Sequence, residues 1–168
     1  MTLSTGKLLK WGIIKNEDSV VKIPMPMGAS EIIPAGGCFV KDDGSSRMEV
    51  AGDGDTLLAG YVFPIELDAN KKYQTCSSTE GGTIVPFIPI SAMLGVVIRF
   101  PNAGGTFVAT MRNNTADLEI NSTTKEQGVQ LDASAEDTII VVDGDLVNNE
   151  WVDLMVNPDK IASLTGVV

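Results

Sequence analysis

The chain has 168 residues, a net charge of −10 and no histidine. Its acid excess disfavours nucleic acid, whose phosphates are neutralised by Lys and Arg, and an anionic membrane surface equally. Without imidazole, Ser-His-Asp and Cys-His machinery is excluded and the commonest transition-metal ligand is missing.

A chain of this length buries roughly 70% of its extended surface on folding, so one domain needs no metal or disulfide. Cys38 and Cys76 stand far apart with no CxxC spacing and read as small buried side chains.

Residues 1–32 read as an extended N-terminal arm. Its stretch Leu8-Leu9-Lys10-Trp11-Gly12-Ile13-Ile14 is interrupted by a charge, and no small-residue cleavage site follows, which makes a poor signal peptide. The run Lys22-Ile23-Pro24-Met25-Pro26-Met27-Gly28 is held extended, because the residue before each proline is pushed out of helical geometry. The arm has little to bury itself against locally. It lies either along its own domain as an edge strand or across a neighbouring subunit. Trp11, beside Leu8, Leu9, Ile13 and Ile14, suits a core position or a partner contact equally.

Residues 33–168 read as a β domain. Apolar runs at Cys38–Lys41, Arg47–Val50 and Leu57–Phe63 are separated by Asp/Gly/Ser clusters, as in a small antiparallel meander. Asp43-Gly44 is a hairpin signal. Tyr73–Cys76 predicts a short strand, and Thr83–Ile90 and Gly95–Phe100 predict two buried ones. The charge-free stretch 81–98 is long enough for a membrane helix, but Pro86 and Pro89 would break one, so strands of a soluble protein are expected. Pro101 to Gly105 predicts a turn into a strand over Thr106–Arg112, with Phe107, Ala109 and Met111 on one face. Strands follow at Ala116–Ile120, Ile139–Val142 and Trp151–Val156, with Trp151 expected in the core. Residues 121–138 read as irregular, and 158–164 as one helical turn. No long amphipathic helix and no repeat is visible, so the class is mainly β.

Carboxylates in the turns Asp42-Asp43-Gly44, Asp53-Gly54-Asp55 and Asp143-Gly144-Asp145, adjacent in the first and at i and i+2 in the others, offer hard oxygen ligands. None continues into a calcium loop with a distal Glu, and turn chemistry alone accounts for them. Glu66, Asp68, Glu80 and Glu119 are the default candidates for a paired-carboxylate glycosidase, but nothing brings two of them to one cleft. No catalytic residue, metal site or cofactor is assigned, and the chain is not expected to be an enzyme.

Ala35-Gly36-Gly37-Cys38-Phe39-Val40, the Asp42-Asp43-Gly44 turn, and Leu58-Ala59-Gly60-Tyr61-Val62 together resemble the compact β unit of phage capsid decoration, or head cement, proteins. The later block, Gly104-Gly105-Thr106-Phe107 through Asp117-Leu118-Glu119, then Gln127-Gly128-Val129 and Ile139–Gly144, is similar to small β proteins encoded among phage structural genes. The resemblance implies a compact antiparallel β-barrel or β-tulip domain that forms a homotrimer on the outer capsid surface of the virion. It further implies binding to the mature, expanded head, with neighbouring major capsid proteins clamped together. Under that reading Leu8, Leu9, Trp11, Ile13 and Ile14 of the arm contact the capsid or a sister subunit, and neither nucleic acid nor membrane is a partner. The competing expectation is a carbohydrate- or receptor-binding β module of a phage tail or bacterial surface.

Overall fold

The computed structural model describes residues 12–15 as backbone and residues 22–124, 126–132 and 135–162 in full. These residues build two β units that share a wall. The strands are β1 (Gly12–Lys15), β2 (Ile23–Pro26), β3 (Ile32–Pro34), β4 (Cys38–Asp42), β5 (Met48–Val50), β6 (Gly60–Val62) and β7 (Tyr73–Thr75). They continue with β8 (Ile84–Pro89), β9 (Val97–Gly104), β10 (Thr115–Ile120), β11 (Gln127–Gln130), β12 (Ile139–Gly144) and β13 (Trp151–Val156). Helical structure among the described residues is limited to short 3-10 turns at Ile90–Met93, Ala109–Met111 and Pro158–Lys160. The class is mainly β.

The second half of the chain forms a closed barrel. Strands run in the order β9-β11-β10-β12-β13, and β13 pairs back onto β9. All neighbours are antiparallel except β11 and β9, which are parallel at Val129 opposite Asn102 and Gln130 opposite Gly104. Strand β1 is annexed from outside, antiparallel to β9 with Ile13 opposite Ile98.

The first half forms a curled sheet in the order β2-β8-β6-β4-β5. Its ends approach each other just after β2, where Met27 bridges Met48 and the Gly28 N–H donates to the Met48 carbonyl at 2.8 Å. The β3–β7 pair covers this unit and adds buried Ile33 to its interior.

The shared wall explains why the central strands read as unbroken apolar runs. On β4, Cys38 and Val40 face the interior of the curled sheet, while Phe39 faces the barrel. On β6 and β8 the same alternation sends Val62, Val85 and Phe87 inward and Tyr61 and Ile88 toward the barrel. The joint is aromatic. Phe39 meets the Tyr61 ring edge-on at 5.2 Å and stacks at 5.7 Å on Phe100 of β9.

Residues 23–27 are part of this body. Strand β2 is an edge strand, and Met25 and Met27 are buried in the interior of the curled sheet with Ile33 and Phe87. Its prolines sit where an edge tolerates them. Met27 N–H points to β8, bonding the Thr83 carbonyl, and Gly28 N–H points the other way. By alternation Pro24 and Pro26 lack only donors on the outer edge, which also blocks strand addition there.

Three expectations fail, each for a local reason. Residues 101–104 are not a turn, because β9 runs on to Gly104. Asn102 N–H donates to the Glu150 carbonyl, so residues 100 and 102 face β13. The missing N–H of Pro101 therefore points to the opposite edge, between the end of the β1 pairing and the start of the β11 pairing, where no bond is lost. Thr106–Arg112 is not a strand. Buried Phe107 plugs the barrel over Gly144, and a short 3-10 turn follows in place of the apolar alternation. Strand β11 lies inside the segment expected to be irregular. Gly128 lets it approach β9, since a Cβ there would stand 2.7 Å from that of Ala103.

Trp151 is a smaller correction. It lies half-buried on the outer barrel face, with the Arg99 guanidinium 3.8 Å above its ring, rather than in the core. Arg99 is held there by a two-pronged bond to Asp153, at 2.6 and 2.7 Å. Cys38 and Cys76 are free and buried, and burial pushes both thiols above their ordinary range.

Candidate functional site

Of the expected contact residues, Leu8, Leu9 and Trp11 lie outside the described residues. Ile13 and Ile14 belong to β1, whose backbone lies along the edge of β9 at Val97–Arg99. That edge is free for β1 because β11 joins β9 only from Asn102 onward, while β13 covers the opposite edge. The barrel closes through β9 and β13 without using β1. The arm thus attaches by main-chain pairing to a structure already complete, as an added strand does.

The acidic turns use their oxygens on their own backbone. Asp42 accepts from the Gly44 N–H at 2.8 Å, and Asp43 accepts from Ser45 at 2.6 Å and from the Arg47 side chain at 2.8 Å. Asp55 accepts from Gly52 at 2.9 Å and from Lys41 at 2.9 Å. Asp145 accepts from Val147 and Asn148, which hold its carboxyl below the usual range. Asp143 faces the Arg112 guanidinium at 2.7 Å. Among the described residues, no group of three or more His, Cys, Asp or Glu is placed to hold a metal ion.

Of the four glycosidase candidates, Glu66 and Asp68 share the β6–β7 loop, while Glu80 and Glu119 lie elsewhere. Asp68 caps its own loop through the Lys72 and Tyr73 N–H groups, the first of which does most to lower its pKa. Glu80 lies 3.4 Å from Arg47, and Glu119 is on β10. Two carboxyl groups that do meet, Asp117 and Glu136, are linked by no local sequence signal. Asp117 on β10 is buried and accepts N–H bonds from Ala135, Glu136 and Asp137 at 2.7–3.1 Å. Its carboxyl also bonds the Glu136 side chain and raises that residue's pKa. This pair fastens the segment before β12 to β10.

A broad concavity lies where the two β units meet. It is an open cleft of about 770 Å³ bordered by the β3–β4 turn (residues 34–37), the end of the β6–β7 loop and the start of β11. Phe100 and Gln127 line its inner side, and Asn70, Lys71, Lys72, Tyr73, Thr123 and Thr124 supply amide, ammonium, phenol and hydroxyl groups. Glu126 is the one carboxylate among its described lining residues. Such a lining suits a polar ligand with hydroxyl or carboxylate groups.

Gln127 is the residue on which this joint turns, and sequence reasoning missed it. Its side-chain carbonyl accepts the Phe39 N–H at 2.7 Å, and its amide donates to the Phe39 and Ala51 carbonyls at 3.1 and 2.7 Å. A side chain of the barrel thus pairs with the backbone of the curled sheet in the manner of an extra strand. Nothing in the local sequence separates it from an exposed glutamine; only its partner 88 residues away does.

No helix among the described residues is long and apolar enough to cross a membrane; stretch 81–98 instead supplies β8, a 3-10 turn and the start of β9. No family model matches the chain, and neither a curated protein nor a solved structure was found to be similar to it.

Proposed function

We propose that this protein is a phage capsid decoration protein, a structural binder without catalytic activity that sits on the outer face of the mature head and clamps neighbouring major capsid proteins. The observation that carries the reading is the annexed strand β1. It is a segment of the N-terminal arm that attaches through main-chain pairing to an edge of a barrel closed without it. Pairing of this kind asks little of side chains, and β1, the end strand of its sheet among the described residues, offers its outer edge to an extended segment of another protein. A ligand of the assembled shell that ignores its separated subunits stabilises the shell by mass action, so modest contacts repeated over a lattice suffice. The joined β units, with their common aromatic core, supply a stiff body for that role.

The test is co-sedimentation with expanded and unexpanded heads of the parent virus. Binding to expanded heads alone is expected, and deleting residues 1–20 should abolish it while leaving the remaining chain folded. A truncated protein that saturates heads with unchanged affinity refutes the role of the arm. Equal binding to both head forms, or none, refutes the decoration reading.

The cleft between the β units favours a second reading, a carbohydrate- or receptor-binding β module. Tyr73 beside Lys71, Lys72 and two threonines is a fitting surface for a hydroxyl-rich, carboxylated glycan. A glycan array separates the two readings.

A further inference from the structure

The hairpin joining β12 to β13 carries two adjacent aliphatic side chains at its tip, Leu146 and Val147, which are 59% and 87% exposed. This tip is held in shape from beneath. Asp145 accepts the Val147, Asn148 and Glu150 N–H groups at 2.9, 3.1 and 3.4 Å. Asn149 accepts the Phe107 N–H at 2.7 Å and donates to the Gly105 carbonyl at 2.8 Å, tying the hairpin to the neighbouring loop. A rigid, capped turn that offers two aliphatic side chains to solvent loses little conformational entropy on docking.

The other β unit carries a matching recess. An apolar groove of about 410 Å³ lies at the β2–β8 edge, lined by Ile23, Pro24, Ile65, Ile84, Val85 and Pro86. Ile65 and Ile84 are 63% and 56% exposed. A cavity of about 150 Å³ already accepts a benzene-sized group, so two aliphatic side chains fit this one. The one charged residue lining it is Lys22, whose ammonium lies over the Phe63 ring at 4.3 Å. The tip, by contrast, is flanked by the exposed acid Glu150, while the Asp145 carboxylate is taken up by its own turn. Pro24 and Pro26 remove outward donors from this edge, so what docks there does so by side chains and not as an added strand.

We propose that the Leu146–Val147 tip of one copy seats in the β2–β8 groove of a second copy, with Glu150 beside the tip facing Lys22. Groove and tip are different surfaces, so the contact is head-to-tail and generates a ring or a chain rather than a two-fold dimer. It is a contact between copies of this chain and stands independently of what the assembly binds.

Sedimentation velocity of the purified full chain, from micromolar to millimolar concentration, tests it. The wild type should associate with rising concentration, and Val147→Asp and Ile84→Asp should each weaken association at least tenfold. An equimolar mixture of the two variants should give a dimer and nothing larger, because one keeps its groove and the other its tip. A wild type monomeric throughout, a variant that associates like the wild type, or a mixture that stays monomeric overturns the proposal. Near-UV circular dichroism checks that each variant is folded, and Ile65→Asp replaces Ile84→Asp if the latter is not. A monomer that still coats expanded heads overturns this contact and leaves the decoration reading standing.

Discussion

Replacing Gln127 by Ala should be among the most damaging polar substitutions in the protein. Gln127 is 1% exposed and Phe39 0%, so in the intact protein water does not compete for their bonds. The truncation leaves the Phe39 N–H without its acceptor and the Ala51 carbonyl without the amide donor at 2.7 Å. The Phe39 carbonyl is better placed, since it keeps the Ala51 N–H at 3.0 Å. Each orphaned buried group costs about 1–3 kcal/mol, and the emptied volume adds a cavity term, so a loss of about 3–5 kcal/mol is expected. That is a large fraction of the ~5–15 kcal/mol by which domains are stable. Urea unfolding reads it as a lower midpoint at unchanged slope. Gln127→Glu sharpens the test. An ionised carboxylate would face the Phe39 and Ala51 carbonyls, whereas a protonated one can donate to one of them. Its folded pKa would lie above its unfolded value, so the variant's stability is present in mild acid and is lost as pH rises through the folded pKa. A Gln127→Ala loss below about 1 kcal/mol, or a Gln127→Glu variant indifferent to pH, would refute the view that this side chain ties the two β units together.

The Glu136 carboxyl titrates above its ordinary range because it bonds the Asp117 carboxyl, with burial and the Asp117 charge adding to the effect. A raised folded pKa means its stabilising contribution is present below the unfolded pKa and is lost as pH rises through the folded one. Glu136→Gln keeps a donor toward Asp117 at every pH. It should therefore raise the melting temperature at neutral pH and remove the loss of stability that accompanies ionisation of Glu136 as pH rises; a neutral or lower melting temperature at pH 7 would count against the Glu136–Asp117 bond. Gly144→Ala should cost about 1–3 kcal/mol by overpacking, because a Cβ there stands 2.5 Å from the Phe107 ring. In a Phe107→Ala background the same substitution should cost much less, and additive losses in that double-mutant cycle would show that the two residues do not meet.

What the sequence made legible was what local chemistry decides. Trp151–Val156 was placed to the residue, and the Asp43-Gly44 hairpin between β4 and β5 was readable from turn chemistry alone. The strands at Cys38–Asp42 and Ile84–Pro89 are recognisable because the shared wall buries both of their faces in part, and Ile139–Gly144 because its β-branched run favours a strand. Misses occurred where a distant partner overrode local preference. Pro101 reads as a breaker until the handover from β1 to β11 beside it is known. The pattern of Phe107, Ala109 and Met111 mimics a strand, but Phe107 alone is buried, in a hole that Gly144 leaves open. Gln127 and Asp117 carry no local signal of burial and are nearly inaccessible, because their partners come from β4 and from the segment before β12. The cleft was invisible for the same reason, as its lining comes from elements far apart along the chain.

Stability and contact are carried by different residues, and this makes the functional tests readable. The groups that join the β units, namely Phe39, Tyr61, Phe100 and Gln127, are buried at the shared wall. The candidate contact groups lie away from it: β1 outside the closed barrel, Leu146 and Val147 on a hairpin tip, Ile65 and Ile84 at the β2–β8 edge. Surface substitutions at such positions change stability by no more than about 0.5 kcal/mol in most proteins. A loss of shell binding or of self-association in a Val147 or Ile84 variant therefore reports on the contact, whereas the same loss in a Gln127 variant would report on the body that presents it.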